Sequence, residues 1–225
     1  MSVSRRPLVI FGSGDLAVLA HCFFQAGGDY EVVAFSVDRD RLDTPEFLGL
    51  PLVAFDELEA RFPPRDHWLF VAIGYSKLNR FRAERCQSAR TMGYRLASCV
   101  GSRSITWPDL VLGDNCLVMD GALIQPGSRL GNGVIVWSSA FIGHHTVIGD
   151  DCFISANAAL AGRVRLGARC FVGINATLRE NISLGDHCIV GAACLILADA
   201  PAESVYIEAP TARAAMSSAR LQGML

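Results

Sequence analysis

A chain of 225 residues that is 51% hydrophobic and 19% charged carries enough apolar material for one large domain or two modest ones, and too much for a disordered chain. Its formal net charge of −2 supplies no field to attract nucleic acid or an anionic membrane, and no apolar run reaches the roughly 18 residues of a membrane span. The opening Arg5-Arg6-Pro7-Leu8-Val9-Ile10-Phe11 meets glycine too soon for a signal-peptide core, so a cytoplasmic location is expected.

Leu8-Val9-Ile10-Phe11 reads as a buried strand, and Gly12-Ser13-Gly14-Asp15-Leu16-Ala17 follows it as a GxGxxA turn into a helix over residues 16–25, stopped at Gly27-Gly28. A second strand at residues 31–35 ends near Asp38. A short strand opens at Leu52-Val53, a helix follows over residues 56–61, a strand over 68–73, and a charged amphipathic helix over 77–92. Alternating strands and helices imply a small parallel sheet whose ligand edge is at the strand C-termini. There the backbone N–H groups of Gly12, Ser13 and Gly14 can approach a phosphate. Asp38 lies where the acid of an NAD site would stand, yet about ninety residues make only half of a dinucleotide fold. A mononucleotide or nucleotide-sugar pocket is the favoured reading, with NAD and a ligand-free tight turn as the alternatives.

From Leu112 every sixth residue is aliphatic: Leu112, Val118, Ile124, Leu130, Val136, Ile142, Ile148, Ile154, Leu160, Leu166, Val172, Leu178, Leu184, Val190, Ile196. A six-residue period of this kind specifies a hexapeptide β-helix, expected from about Ile105 to Leu197 with residues eighteen apart stacked in about five coils. Glycines such as Gly113, Gly131, Gly143 and Gly149 follow column residues, where a tight turn is expected. Five of the eight cysteines (Cys116, Cys152, Cys170, Cys188, Cys194) share one small-residue phase, which points to buried free thiols rather than disulfides or zinc. The fold class is therefore α/β plus all-β: an N-terminal Rossmann-like unit over residues 1–98, a parallel β-helix over 99–200 and a tail over 201–225 that could form a small helix. A prism with bare flat faces calls for oligomerisation.

Against the regular column, His144 and His145 are exceptions, and Gly162 falls eighteen residues after His144, one coil up. An imidazole beside an unobstructed amide N–H is what acyl transfer from a thioester requires. The imidazole takes a proton from the attacking amine or hydroxyl, and the N–H stabilises the oxyanion, where one donor contributes about 2.7–4 kcal/mol. Polar corner residues with no chemistry are the plain alternative. A metal site is not expected, because of five histidines His21 and His67 belong to the other unit and His187 is more than two coils away.

The segments Val9-Ile10-Phe11-Gly12-Ser13-Gly14, residues 72–78, 143–149, 158–162 and 172–176 together resemble the bacterial sialic acid O-acetyltransferase / nucleotide-sugar 4-N-acetyltransferase family, over nearly the whole chain. The resemblance implies a left-handed β-helix and a homotrimer with active sites between neighbouring β-helices. It implies acetyl-CoA as co-substrate and a nucleotide-linked amino sugar as acceptor, held by the N-terminal unit for surface glycan synthesis. By the same resemblance His144 is the general base, the Gly162 amide meets the thioester carbonyl, and Ile174 touches the pantetheine arm. Gly12, Ser13, Gly14 and Asp38 match acceptor contacts, and Tyr75, Ser76 and Lys77 occupy the acceptor loop. His145 stands where the family carries an acid, Asp15 where it commonly carries histidine, Tyr75-Ser76 where it has an acidic or amide pair, and Val37 where it has one of two acids. O-acetylation of a sugar hydroxyl and a non-catalytic sugar-binding scaffold are the two alternatives.

Overall fold

The computed structural model describes residues 5–209 and Thr211. The N-terminal unit is a six-stranded sheet of β1 (Arg6–Phe11), β2 (Tyr30–Val37), β3 (Glu46–Phe47), β4 (Leu50–Ala54), β5 (Trp68–Val71) and β6 (Arg95–Leu96) in the order β3-β4-β2-β1-β5-β6. All pairs are parallel except β3 with β4, an edge hairpin whose turn is Leu48 and Gly49, both at positive φ. α1 (Asp15–Gly27) ends on Gly28 in the left-handed region, as the paired glycines require. α2 (Leu58–Arg61) follows a 3-10 turn, and α3 (Arg80–Thr91) completes the unit.

α3 starts three residues later than residue patterning implies. Lys77, Leu78 and Asn79 are all at positive φ, so no helix can run through them. Asn79 is fully buried and donates from Nδ2 to the Cys170 carbonyl at 3.2 Å. A contact with the β-helix, invisible in local sequence, overrides helix propensity here.

The β-helix is built from two-residue strands on three faces. The first face stacks Leu123–Ile124, Phe141–Ile142, Ala159–Leu160, Thr177–Leu178 and Leu195–Ile196; the second runs from Val111–Leu112 to Ser183–Leu184. The third begins at Cys99–Val100, before Ile105, and ends at Val205–Tyr206, which pairs with Ile189–Val190 beyond Leu197. Partners through most of the prism are eighteen residues apart, as in Phe141↔Ala159. The aliphatic column fills the interior, and Cys116, Cys152, Cys170, Cys188 and Cys194 are buried among it as free thiols. The Ala/Ser/Arg part of the tail, from residue 212, lies outside the described residues.

The glycines of the column have a different cause from the expected turn. The positive-φ residue at each corner comes two positions later and includes Asn115, His145, Asp151, Asn157, Arg163 and Asn175. The glycines are needed because neighbouring coils touch: a Cβ on Gly143 would be 2.5 Å from the Gly162 nitrogen, and one on Gly113 would be 2.6 Å from that of Asn132.

Each face of the prism meets a different environment. The third face is covered by the α/β unit: Leu117, Met119, Ile135 and Phe153 share one core with Leu8, Ile10, Phe24 and Phe70. Fully buried Arg82 of α3 fastens the two parts. It donates to the carbonyls of Ile73 and Gly74 beside the sheet and to those of Gly133, Asp151 and Cys152 at the corner between the second and third faces. The second face presents Val111, Arg129, Val147, Arg165 and Ser183 outward and the first face Leu123, Phe141, Ala159, Thr177 and Leu195, none of which joins the core shared with the α/β unit.

Candidate active site

His144 lies at the corner joining the first and second faces. Its backbone N–H donates to Gln125 Oε1 at 3.0 Å one coil below, and its carbonyl accepts from Arg163 N at 2.8 Å one coil above. These two bonds fix the backbone from both sides. The ring lies over Gly162, so close that a Cβ there would be 2.5 Å from Nε2 and 2.7 Å from Cε1. Among the described residues the Gly162 N–H donates to no protein oxygen, while its carbonyl is engaged by Asn181 N at 2.9 Å. One corner thus holds a half-exposed imidazole and a free amide donor on adjacent coils. That pairing can accept a proton from a nucleophile and hold a developing oxyanion.

His145 follows at φ 56, with its Nδ1 3.1 Å from Nδ1 of His144. Its ring sits over Gly127, where a Cβ would be 2.8 Å from His145 Cδ2. Ile174 is elsewhere. It sits 47% exposed at the corner between the third and first faces, so the width of the first face separates it from His144 within one chain.

The expected acceptor residues divide among three sites. Gly12, Ser13, Gly14, Asp38 and Ser76 line a cleft of about 570 Å³ at the C-terminal ends of β1, β2 and β5, within the range of small-ligand sites. Gly12 has φ 127, and a Cβ there would be 2.8 Å from the Ala72 carbonyl oxygen, so this glycine is required by the fold. Gly14 is different: a Cβ would meet nothing within 4 Å, which leaves the N-terminus of α1 open to a ligand. Tyr75 leaves the cleft for an aromatic pocket with Trp137, Phe153 and Ile174, its ring 5.1 Å from that of Phe153. Lys77 lines a third groove beside Arg169 and His187. Asp15 does not line the cleft; it opens the first turn of α1, where a carboxylate suits the helix dipole.

Three features escaped sequence reasoning. Arg85 of α3 pairs with Asp38 at 2.7 Å and packs over the rings of Phe11 and Phe55 at 4.9 and 4.7 Å, holding the carboxylate at the cleft floor. Nothing in the charged run of α3 distinguishes it. Arg41, Asp40 and Asp43 also line the cleft. Trp137 had a signal, since it follows a column residue where glycine is common. Among the described residues, no three of His, Cys, Asp and Glu converge as a metal site would need.

Two hexapeptide families match the coils: bacterial transferase hexapeptide (six repeats) over residues 109–144, and hexapeptide repeat of succinyl-transferase over residues 163–198. Comparison with curated proteins gives no significant match. Among solved structures, PerB from Caulobacter crescentus, in complex with CoA and GDP-perosamine, is 30% identical with a TM-score of 0.80, over 91% of this chain and 95% of that one. The acetyltransferase domain of PglB from Neisseria gonorrhoeae, in complex with acetyl coenzyme A, is 27% identical with a TM-score of 0.80, over 90% and 96%. WeeI from Acinetobacter baumannii, at 14% identity and a TM-score of 0.54 over 89% and 95%, shares the fold. With 30% identity held across nearly the full length of both chains and hexapeptide families matching the coils themselves, this chain belongs to the hexapeptide-repeat sugar acetyltransferases and is an acyltransferase.

Proposed function

We propose that the protein transfers an acetyl group from acetyl-CoA to an amino group of a nucleotide-linked sugar, in the cytoplasm, for surface glycan synthesis. The observation that carries this reading is the His144 imidazole lying over Gly162, whose N–H is unpaired among the described residues. His144 Nε2 takes the amine proton as the nitrogen attacks the thioester carbonyl, and the Gly162 N–H receives the oxyanion. Collapse of the tetrahedral intermediate breaks the C–S bond, and the proton passes to the departing thiolate. PerB with CoA and GDP-perosamine and PglB with acetyl coenzyme A support this choice of donor and acceptor.

Residues 1–98 then serve as the acceptor-binding unit. The diphosphate lies at the open N-terminus of α1 near Gly14, and the free oxygen of Asp38 accepts from a ribose hydroxyl while Arg85 holds the other. Residues 99–200 carry the transfer chemistry. The uncovered apolar first face packs against another copy in a homotrimer, which brings Ile174 of one copy toward His144 of the next; its separation from His144 within one chain supports this.

His144→Ala is the direct test: kcat falls by about 10²–10⁴-fold, the usual contribution of a positioned base, while CoA still binds. Unchanged turnover would remove the base assignment. Mass-spectrometric assay against UDP-, dTDP- and GDP-linked amino sugars, with hydroxyl sugars as controls, reports the acceptor and separates N- from O-acetylation. A protein not stabilised by saturating acetyl-CoA is instead a scaffold. Light scattering should give about three times the 24.2 kDa chain mass.

A further inference from the structure

We propose that His145 is a positioning residue: its Nδ1 lone pair accepts the Nδ1–H of His144, fixes the tautomer of the base and replaces the acid that a proton-accepting histidine ordinarily leans on. This rests on the reading of His144 as the base. The two Nδ1 atoms are 3.1 Å apart, so a neutral pair holds one proton between them. Were that proton on His145, neutral His144 would carry its hydrogen on Nε2, facing Gly162 and unable to accept another. With the proton on His144 Nδ1, Nε2 presents a lone pair to the nucleophile, and the imidazolium formed after proton uptake still donates to a neutral partner.

The surroundings hold the pair in this geometry and offer no competing acceptor. Gly127 leaves room for the His145 ring, which stands edge-on to that of His144 with the centroids 5.3 Å apart. Gln125 Oε1, one coil below, is engaged by the His144 backbone N–H. The charged groups at this corner are Arg163 one coil above, Arg179 and Glu180 two coils above, and Asp109 two coils below, which accepts from Gly127 N at 2.7 Å. None of them hydrogen-bonds either imidazole among the described residues. The imidazole of His145 is the only hydrogen-bond partner of His144 Nδ1 among the described residues.

The test uses the full-length protein with acetyl-CoA and the acceptor identified by the acetylation assay. His145→Phe keeps a ring over Gly127 and removes the acceptor: kcat should fall by about tenfold to a hundredfold, part of what a positioned base contributes, with the acetyl-CoA KM unchanged. His145→Glu restores an acceptor and should recover the rate. The acid limb of the pH–rate profile should order as Phe variant lowest, wild type between and Glu variant highest, because a better acceptor stabilises the imidazolium. A structural role would leave that limb unmoved. His145→Gln, which can accept, against His145→Lys, which can only donate, repeats the comparison if the Phe variant folds poorly. Equal rates in either comparison, or an unmoved acid limb, overturn the proposal while an inactive His144→Ala leaves the base standing. An active His144→Ala overturns both.

Discussion

The His144 imidazole fills the space that a side chain on Gly162 would occupy, with Nε2 2.5 Å from where a Cβ would stand. The obstructing atoms belong to the end of a side chain, so the ring can swing aside and the coil can close. Gly162→Ala should therefore fold with a melting temperature near that of the wild type and, if His144 acts as proposed, lose about a hundredfold in kcat through displacement of its ring. Steady-state kinetics beside a thermal melt separate the two effects, and an active Gly162→Ala would show that the imidazole is not needed in that place.

The Arg85–Asp38 pair sets a second expectation, at the other end of the molecule. Asp38→Asn keeps the shape but weakens a charge-assisted hydrogen bond, which is worth about 1.5–3 kcal/mol. The acceptor Kd should rise by about tenfold or more, with acetyl-CoA affinity unchanged. Calorimetric titration of each ligand checks it; a shift confined to acetyl-CoA would place the nucleotide elsewhere.

Asp151 gives a pH dependence. Burial raises its carboxyl above the ordinary value, and the attraction of Arg82 offsets only part of this. The folded protein therefore holds this proton more tightly than the unfolded chain does. The ionised carboxylate subtracts stability as pH climbs from the unfolded value of about 3.9 through the raised folded value, and nothing is lost below both. Asp151→Asn should melt higher than wild type at pH 7, with the gap closing as pH falls through that window; asparagine also suits the φ of 57 at this corner. Paired melts from pH 3 to 7 decide it, and a constant gap would show that the carboxylate is not the cause.

Thiol chemistry reports the integrity of the prism. Of eight cysteines only Cys22 is exposed, and burial pushes the Cys86, Cys99 and Cys116 thiols up to about 12. A disulfide reagent should modify one thiol quickly in the native protein and eight in guanidinium. Two or more fast thiols without denaturant would mean that a coil or the α3 side of the α/β unit opens.

The β-helix was legible because its signal repeats: a column of one residue in six survives local irregularity, and the His144/Gly162 pair follows from counting eighteen. What sequence missed depends on contacts between distant parts. The start of α3 is displaced by Asn79 reaching Cys170, and Arg85 looks like any helical arginine until Phe11 and Phe55 come up beneath it. The reason for the column glycines was missed on the same ground, since adjacency of coils is a property of the wound chain. Tyr75, Ser76 and Lys77 are neighbours in sequence, yet they line different cavities: Tyr75 packs on Phe153 and Phe171 of the prism, and Lys77 opens a run of three left-handed residues.

Arg82 has a consequence for how such a chain can be cut and recombined. One guanidinium joins the loop after β5 to carbonyls from two coils of the prism, and the apolar layer beneath it belongs to both parts. A β-helix taken alone would bare Leu117, Ile135 and Phe153, and the α/β unit alone would take from Arg82 the carbonyls of Gly133, Asp151 and Cys152. Neither piece is a portable module. Changes to the cleft side chains are better made within the intact chain than by swapping its front half.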